Sequence, residues 1–399
     1  MKQKPLPFIE FIVLIAVMFA MIAFGSDAML PAFPQIGADL GLTDINRAQL
    51  VITIFLLGTG LGQLFTGPLS DAVGRKPVIL GGLLVYMAAC VMAIYAQTLE
   101  TLLIARFIQG LGVSGPRTVT IAMVRDLYAG RHMAQVMSLA MVLFVLVPAV
   151  APLIGQTLTN SFGWRSIFTA FILFAVFGFL WLGIRQPETH APEKRRPLRW
   201  QAYTLSLCEV CSSRVVMTYT VTLAFGYGSL FAYLSSAQQI FVDTLGAGAN
   251  FPLYFAGIAV FSGTSGFLNA SMVVKYGMRP IATRAFATLV VITLLFVLIL
   301  MFTDLSQSVL LGVFLIWSVM AFFVPGLTFG NLNALAMEPM GHIAGMASSI
   351  VGALSTLGGV LIAIPIGLAF DGTALPLALG YLICIGISFL LMLSNPKNA

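Results

Sequence analysis

The chain contains 399 residues, of which 59% are hydrophobic and only 9% are charged, whereas a soluble domain has about 25% charged residues. A water-soluble fold is therefore excluded, because such a fold could not hide so much apolar surface. The formal net charge of +6 does not by itself indicate nucleic acid as a partner, because basic residues of a membrane protein first record its topology.

Apolar segments that are long enough to cross a bilayer recur along the chain in two sets of six. The first set is predicted at about 8–30, 47–68, 77–97, 100–123, 133–158 and 163–185. The second set is predicted at about 215–241, 251–275, 281–302, 306–335, 342–369 and 374–394. The first segment is too long for the core of a signal peptide, so we expect it to remain as the first helix.

A polar stretch separates the two sets. Residues 186–214 contain three prolines and the charged run 193–196, which predicts a solvated cytoplasmic linker. The predicted domains are therefore an N-terminal six-helix bundle over residues 1–185, the linker over residues 186–214 and a C-terminal six-helix bundle over residues 215–399.

The basic residues indicate the orientation of the predicted helices. With the N-terminus in the cytoplasm, every Lys and Arg falls on or next to the cytoplasmic side except Arg47, Arg106, Arg117 and Arg165. This distribution follows the positive-inside rule and places both termini in the cytoplasm. We therefore expect the lipid bilayer and a small-molecule substrate as partners of a monomer, and no nucleic acid.

The two halves of the chain repeat one loop. Residues 70–77 follow the second predicted helix, and residues 274–280, which follow the eighth, repeat their order of a glycine, a basic residue and a proline. Gly74 and Gly277 lie about half the chain apart, which is the spacing that a duplicated six-helix unit requires. The predicted fold class is an all-α membrane protein with 12 transmembrane helices in two pseudo-symmetric bundles.

The first of these loops carries a recognisable pattern, formed by Gly67, Asp71, Gly74, Arg75 and Lys76. The glycines permit a tight reversal, the aspartate suits a helix N-terminus, and the basic pair favours the cytoplasmic side. The pattern resembles the signature loop between the second and third helices of the major facilitator superfamily. This resemblance implies the twelve-helix fold of those transporters.

More narrowly, the chain is similar to the Bcr/CflA branch of twelve-helix drug:proton antiporters. Besides the signature loop, the resemblance is carried by residues 26–34, 106–110 and 333–349. The segment 151–156, which contains Pro152 and Gly155, resembles the antiporter motif, but Gln156 replaces the second of its usual paired glycines. The resemblance implies a bacterial inner-membrane exporter of chloramphenicol- or bicyclomycin-type antibiotics, with protons as the coupling ion and no other cofactor.

Three ionisable residues fall inside predicted membrane helices, where a charge is costly and usually has a partner or lines a cavity. Asp27 lies near the outer end of the first helix, and Arg106 lies in the outer half of the fourth, so the two are expected at similar depth. Asp27 is the predicted proton carrier, as the family resemblance also implies, and Arg106 is the predicted neighbour that changes its proton affinity. The alternative is a fixed ion pair that only orients the two helices.

Arg117 is the third of these residues. It follows Arg106 by eleven positions, which returns to within about 20° of the same helical face at about 100° per residue. Because a lipid-facing guanidinium is unfavourable, this face is expected to point toward an internal cavity. Two roles stay open for Arg117: a structural or cavity-polarity role, and direct contact with a neutral or anionic substrate.

Two further groups of candidates remain. Asp126 at the inner end of the fourth helix is expected to pair with Arg75, and in the superfamily such a pair latches the outward-open state. A solvated surface charge is the alternative. In the seventh helix, Tyr227, Phe231 and Tyr233 are candidate substrate-binding residues, with ordinary helix packing as the alternative.

An enzyme would need a nucleophile with a base or a metal cluster. The three histidines are scattered over loops and helix ends, and the Cys208 and Cys211 pair has no further ligands nearby in the sequence. The resemblance to drug:proton antiporters therefore implies a proton-coupled exporter that works by alternating access. An importer or facilitator of a specific metabolite with the same fold is the alternative.

Overall fold

The computed structural model is all-helical and describes residues 6–128, 130–195 and 200–394. Several basic residues that the positive-inside argument assigned to the cytoplasmic side lie outside these residues: Lys2, Lys4, Arg196, Arg199 and Lys397. The chain divides into two compact units. Unit 1 comprises Met1–Leu42 and Ile54–Leu205, and unit 2 comprises Thr43–Thr53 and Ser206–Ala399.

The helices of the first half, in chain order, are α1 (Phe8–Asp27), α2 (Phe33–Asp39), α3 (Leu50–Val73), α4 (Arg75–Ile94), α5 (Leu99–Leu127), α6 (Gly130–Phe162) and α7 (Arg165–Arg185). Those of the second half are α8 (Trp200–Ser212), α9 (Arg214–Gln239), α10 (Phe251–Tyr276), α11 (Met278–Phe302), α12 (Gln307–Met337), α13 (Ala344–Leu368) and α14 (Leu375–Ser394). Apart from the short α2 and α8, each half of the described chain thus has six long helices. The all-α membrane fold class is confirmed.

Within the described residues, ten helical segments are long and apolar enough to cross a membrane. The helices α5 and α6 are not among the ten, although they contain 29 and 33 residues. The reason in α5 is its polar content, because Arg106, Gln109 and Arg117 interrupt the apolar run. Long helices with low hydropathy in a membrane protein usually shield their polar side chains against neighbouring helices.

Small residues let the helices of unit 1 approach closely. A Cβ atom on Gly112 of α5 would lie 2.6 Å from the carbonyl oxygen of Gly82 in α4, so neither helix could carry a larger residue there. On another face of α5, Gly110 contacts the backbone of α3 at Phe55 and Gly58. Close backbone approach through small residues is how helices associate in a bilayer, where the hydrophobic effect between helices is weak.

A single glycine joins two helices in each half. Gly74 separates α3 from α4 with φ 116° and ψ 157°, and Gly277 separates α10 from α11 with φ 80° and ψ 158°. This region of backbone conformation is open essentially to glycine alone. We call residues 70–77 the first hairpin and residues 274–280 the second hairpin. Their common backbone agrees with the repeat expected from the sequence.

The linker differs from the solvated segment that its composition predicts. Residues 200–212 form α8, in which Val210 is fully buried. Within unit 2, Glu209 Oε1 of α8 lies 2.7 Å from His342 Nε2, and the Ser206 hydroxyl lies 3.6 Å from the sulfur of Met346. These two contacts hold α8 against the segment before α13 and the first turn of α13, which composition alone does not reveal.

Candidate functional site

Asp27 is the last residue of α1 and is buried, with 5% of its surface exposed. The Ser26 hydroxyl lies 2.7 Å from Asp27 Oδ1 and 3.1 Å from the carbonyl oxygen of Ala23, so its single proton can be donated to either. The chain then turns through a short 3-10 segment at Leu30–Ala32. Asp27 therefore lies where the spanning helix gives way to a turn.

Arg106 of α5 reaches the same end of α1. Its Nη2 donates to the carbonyl oxygen of Gly25 at 2.8 Å, and its Nη1 donates to Gln109 Oε1 at 2.5 Å. The guanidinium carbon lies 4.2 Å from the centre of the Phe55 ring, and the side chain is fully buried. Arginine keeps its proton, so this guanidinium carries a permanent positive charge. The carbonyl that it binds belongs to Gly25, two residues before Asp27 in α1.

Gly155 of the antiporter-like motif in α6 also lies at this place. A Cβ atom on Gly155 would collide with the carbonyl oxygen of Ala28, the residue after Asp27. Pro152 is inside α6, one turn before this contact. The structure thus gathers an acid, a permanent cation and a close helix contact around the end of α1.

The signature-loop residues form a second site, at the first hairpin. Arg75 Nη1 lies 2.5 Å from Asp71 Oδ1 and 2.6 Å from Ser70 Oγ, and Arg75 Nε donates to Asp126 Oδ2 at 3.1 Å. The Arg75 side chain is only 9% exposed. The Ser70 hydroxyl in turn lies 2.8 Å from the carbonyl oxygen of Gly67. The structure therefore brings Arg75 together with Asp71 of the same loop and with Asp126 of α5, as expected from the sequence for the second pair.

Two residues of this second site are not predicted from the sequence. Glu188 accepts hydrogen bonds from the backbone amides of Arg75 and Lys76, each at 3.0 Å, and so caps the start of α4. Thr189 donates its hydroxyl to Asp126 Oδ2 at 3.0 Å. A carboxylate at a helix N-terminus is stabilised by the free amides and the helix dipole. No local pattern signals this cap, because residue 188 is distant in sequence from the helix that it caps.

The aromatic candidates of α9 separate onto two faces. Tyr227 is half-buried, stacks on Phe231 with ring centres 5.7 Å apart, and contacts the edge of Phe329 in α12 at 4.6 Å. Tyr233 is instead a core residue. It is fully buried and donates its hydroxyl to Ser318 Oγ at 2.8 Å. Six positions along a helix turn the side chain to a different face, so Tyr233 lies apart from Tyr227, and its predicted role in substrate binding stays a prediction.

Arg117 is exposed, whereas Arg106 on the same predicted stripe of α5 is fully buried. Arg106 is covered by the end of α1, whereas the position of Arg117 is exposed. The exposed position of Arg117 leaves open both roles that the sequence analysis considered.

Residues 15–363 match the model of the Major Facilitator Superfamily. The chain belongs to this superfamily. It is 30% identical over 395 residues to a bicyclomycin resistance protein homolog from Haemophilus influenzae, covering 98% of this chain and 96% of that protein. It is 31% identical to a chloramphenicol resistance protein from Pseudomonas aeruginosa, covering 85% of this chain and 78% of that protein.

A solved structure supports the same fold. The xylose transporter XylE from E. coli, in a partially occluded inward-open conformation, superposes with a TM-score of 0.74 at 13% identity, covering 97% of this chain and 96% of that one. As a major facilitator, the protein is a multi-pass membrane transporter and not an enzyme. Its relatives at about 30% identity include drug-resistance proteins.

Proposed function

We propose that this transporter exports small drug-like molecules in exchange for protons, with Asp27 as the proton carrier. The observation that carries the proposal is the placement of a buried carboxyl at the end of a membrane-spanning helix, beside the Ser26 hydroxyl and two residues from the α1 carbonyl that Arg106 binds. Carboxyls at membrane depth are rare, and in transporters they belong to proton or ion pathways.

In this mechanism the carboxyl of Asp27 binds a proton when it is shielded from water and releases it when it is hydrated beside the permanent charge of Arg106. Protonation removes the negative charge at the end of α1. The packing of α5 and α6 against that end then favours a different arrangement, and the substrate is moved in the opposite direction by alternating access.

Arg75 and Asp126 are proposed to latch the outward-open state of the cycle. The ion pair at 3.1 Å supports this proposal, because a charge pair that is mostly shielded from water resists separation. We further propose that both termini lie in the cytoplasm, that the membrane is the bacterial inner membrane and that the protein acts as a monomer.

The proposed substrates are chloramphenicol- or bicyclomycin-type compounds rather than lipophilic cations. The names of the two relatives support this class. The half-buried Tyr227 ring, next to Phe231 and Phe329, offers an aromatic surface, which suits a neutral molecule with a planar part. The exposed Arg117 keeps its charge in every conformation and would repel a cation throughout the cycle.

The decisive experiment uses proteoliposomes with an imposed pH gradient. Chloramphenicol uptake into vesicles in which the transporter is inverted should be accompanied by the release of protons from the vesicle interior. Asp27→Asn should abolish both the uptake and the proton release while leaving the protein folded. Asp304→Asn, which removes an exposed acid between α11 and α12, is the matched control and should transport normally. Normal proton-coupled export by Asp27→Asn would remove Asp27 from the mechanism. Transport in the same direction as the proton would instead favour an importer.

A second experiment tests the proposed selectivity. Arg117→Ala should increase the export of ethidium relative to chloramphenicol, because it removes a permanent positive charge. Arg125→Ala, which removes an exposed arginine from the end of the same helix, should not change the ratio. If the wild type exports both compounds equally and Arg117→Ala changes neither, Arg117 has a structural role.

A further inference from the structure

The second hairpin and the start of α11 form a surface of one charge. The sequence has no acidic residue between Asp243 and Asp304, and in that stretch only Lys275, Arg279 and Arg284 are charged. The neighbouring helix α14 has no charged residue at all. We call Lys275, Arg279 and Arg284 the basic patch. For Lys275 and Arg284, the helices α10, α11, α12 and α14 supply no acidic partner, because none of the four contains Asp or Glu.

Arg284 lies on the face of α11 that is turned away from the protein. It is exposed, and so are Thr288, Val291, Leu295 and Leu298, which follow it at helical spacing. An exposed aliphatic stripe on a membrane-spanning helix faces lipid. Arg284 is six residues from the start of α11, which is about 9 Å along the axis. Its guanidinium therefore has to extend along the helix toward the headgroup layer.

The other two members lie nearer the hairpin. Lys275 is exposed, with its Nζ 5.2 Å from the centre of the Tyr276 ring, and it follows Val274, which is 91% exposed. Arg279 donates from Nη2 to the carbonyl oxygen of Met392 at 3.2 Å, which fixes it against the end of α14. Among the described residues, no ion pair involves Lys275 or Arg284.

We propose that the basic patch binds the headgroup of an anionic phospholipid. A phosphate group supplies a negative charge to Lys275 and Arg284, which have no ion pair among the described residues, and a guanidinium donates two hydrogen bonds to it. The acyl chains of the same lipid would lie along the exposed stripe below Arg284. A soluble anion would meet the charge but would leave that stripe without a role, so the lipid fits both observations.

The test uses the full-length protein in detergent micelles and native mass spectrometry with dioleoyl phosphatidylglycerol or dioleoyl phosphatidylcholine. The wild type should retain more phosphatidylglycerol than phosphatidylcholine. Arg284→Gln should lower the retained phosphatidylglycerol by about fivefold, the effect of one basic residue near an anionic surface. Arg284→Lys should retain most of it, because an ammonium can also extend to the headgroups.

The matched control is Arg125→Gln, which removes one exposed arginine from unit 1 and should leave lipid retention unchanged. Equal retention of the two lipids by the wild type would overturn the proposal without any variant. An equal loss in Arg125→Gln and Arg284→Gln would also overturn it, because the effect would then follow net charge alone. Inorganic phosphate should not displace the lipid, and displacement would reassign the patch to a soluble anion.

Discussion

The two hairpins have nearly the same backbone conformation but place their charged side chains in different surroundings. In the first hairpin Arg75 is shielded from water and binds Asp71 and Asp126. In the second, the position of Arg75 is taken by Met278 and that of Asp71 by Val274, which is 91% exposed. Both hairpins thus keep the turn glycine and the proline that follows. The network of Arg75 with Asp71 and Asp126 has no counterpart at the aligned positions of the second hairpin.

The comparison separates what the turn requires from what the mechanism requires. A glycine with positive φ is enough to reverse the chain in both units. The network of Arg75 and Asp126, with Glu188 at the start of α4, adds contacts that join three helices and the segment after α7 in unit 1. If this network is the proposed latch, its loss should cost more than the loss of the aligned side chain in the second hairpin.

The largest difference is expected between Arg75→Ala and Met278→Ala. Arg75→Ala leaves two carboxylates beside each other without their cation and should lower the free energy of unfolding by about 2–3 kcal/mol, less than for a fully buried pair because both acids keep some water. Met278→Ala should cost about 1 kcal/mol, since Met278 is only half-buried. Unfolding by SDS in mixed micelles measures both.

The same network can be tested for its role in the cycle. Asp126→Ala should shift the resting population away from the proposed outward-open state, so that a cysteine at the inner end of α5 is labelled faster by a soluble maleimide. Labelling at the wild-type rate, with a measurable loss of stability, would mean that the pair braces unit 1 without latching a state.

The next difference is between the two turn glycines. Each alanine substitution should cost about 1–3 kcal/mol from backbone strain alone. A Cβ atom on Gly74 would also lie 2.6 Å from Glu188 Oε2, whereas on Gly277 its nearest neighbour is Pro280 Cδ at 3.7 Å. Gly74→Ala should therefore cost about 1 kcal/mol more than Gly277→Ala, the contribution of a displaced helix cap.

A background variant isolates the cause of that excess. In Glu188→Ala protein the excess cost of Gly74→Ala should shrink, although Arg195 Nη2 would still lie 3.0 Å from the new Cβ atom. If the excess is unchanged, the contact with Glu188 is not its cause.

A smaller effect is expected from the cap itself. Glu188→Gln keeps one acceptor oxygen but removes the charge at the start of α4, and it should cost about 0.5–1 kcal/mol. Glu193→Gln removes an exposed carboxylate from the same segment and should change stability by no more than about 0.3 kcal/mol. Similar thermal unfolding of both variants in detergent would show that the cap contributes nothing.

The sequence predicts the turns well because their requirement is local. Gly74 and Gly277 identify both hairpins, and the place of Asp126 at the inner end of its helix predicts a pairing with Arg75, which the structure shows at 3.1 Å. Hydropathy places the long helices, including α5: the apolar segment predicted at 100–123 lies within Leu99–Leu127, although Arg106 and Gln109 interrupt its apolar run.

The remaining features depend on neighbours that no local pattern specifies. Glu188 caps a helix that begins 113 positions earlier in the chain. Tyr227 and Tyr233 lie in one aromatic run, yet only the surrounding helices decide that Tyr233 is buried and Tyr227 is not. The linker composition predicts solvation, whereas burial of Val210 folds part of it as α8.

The smallest effect, and the sharpest test of the comparison, comes from moving the ion pair into the second hairpin. Val274→Asp with Met278→Arg reproduces the spacing of Asp71 and Arg75 on nearly the same backbone. A double-mutant cycle should give a coupling energy of only about 0.3–0.5 kcal/mol, the value of an exposed pair of this spacing.

The reason is that spacing alone does not create the first network. Position 274 is 91% exposed, so water screens the new pair. Unit 1 also supplies Asp126 from α5, its fourth long helix, whereas α12, the fourth long helix of the second half, contains no Asp or Glu. A coupling energy above about 1 kcal/mol, outside the range of exposed pairs, would show that the loop pair suffices by itself. The latch would then require neither the acid of α5 nor the burial that unit 1 provides.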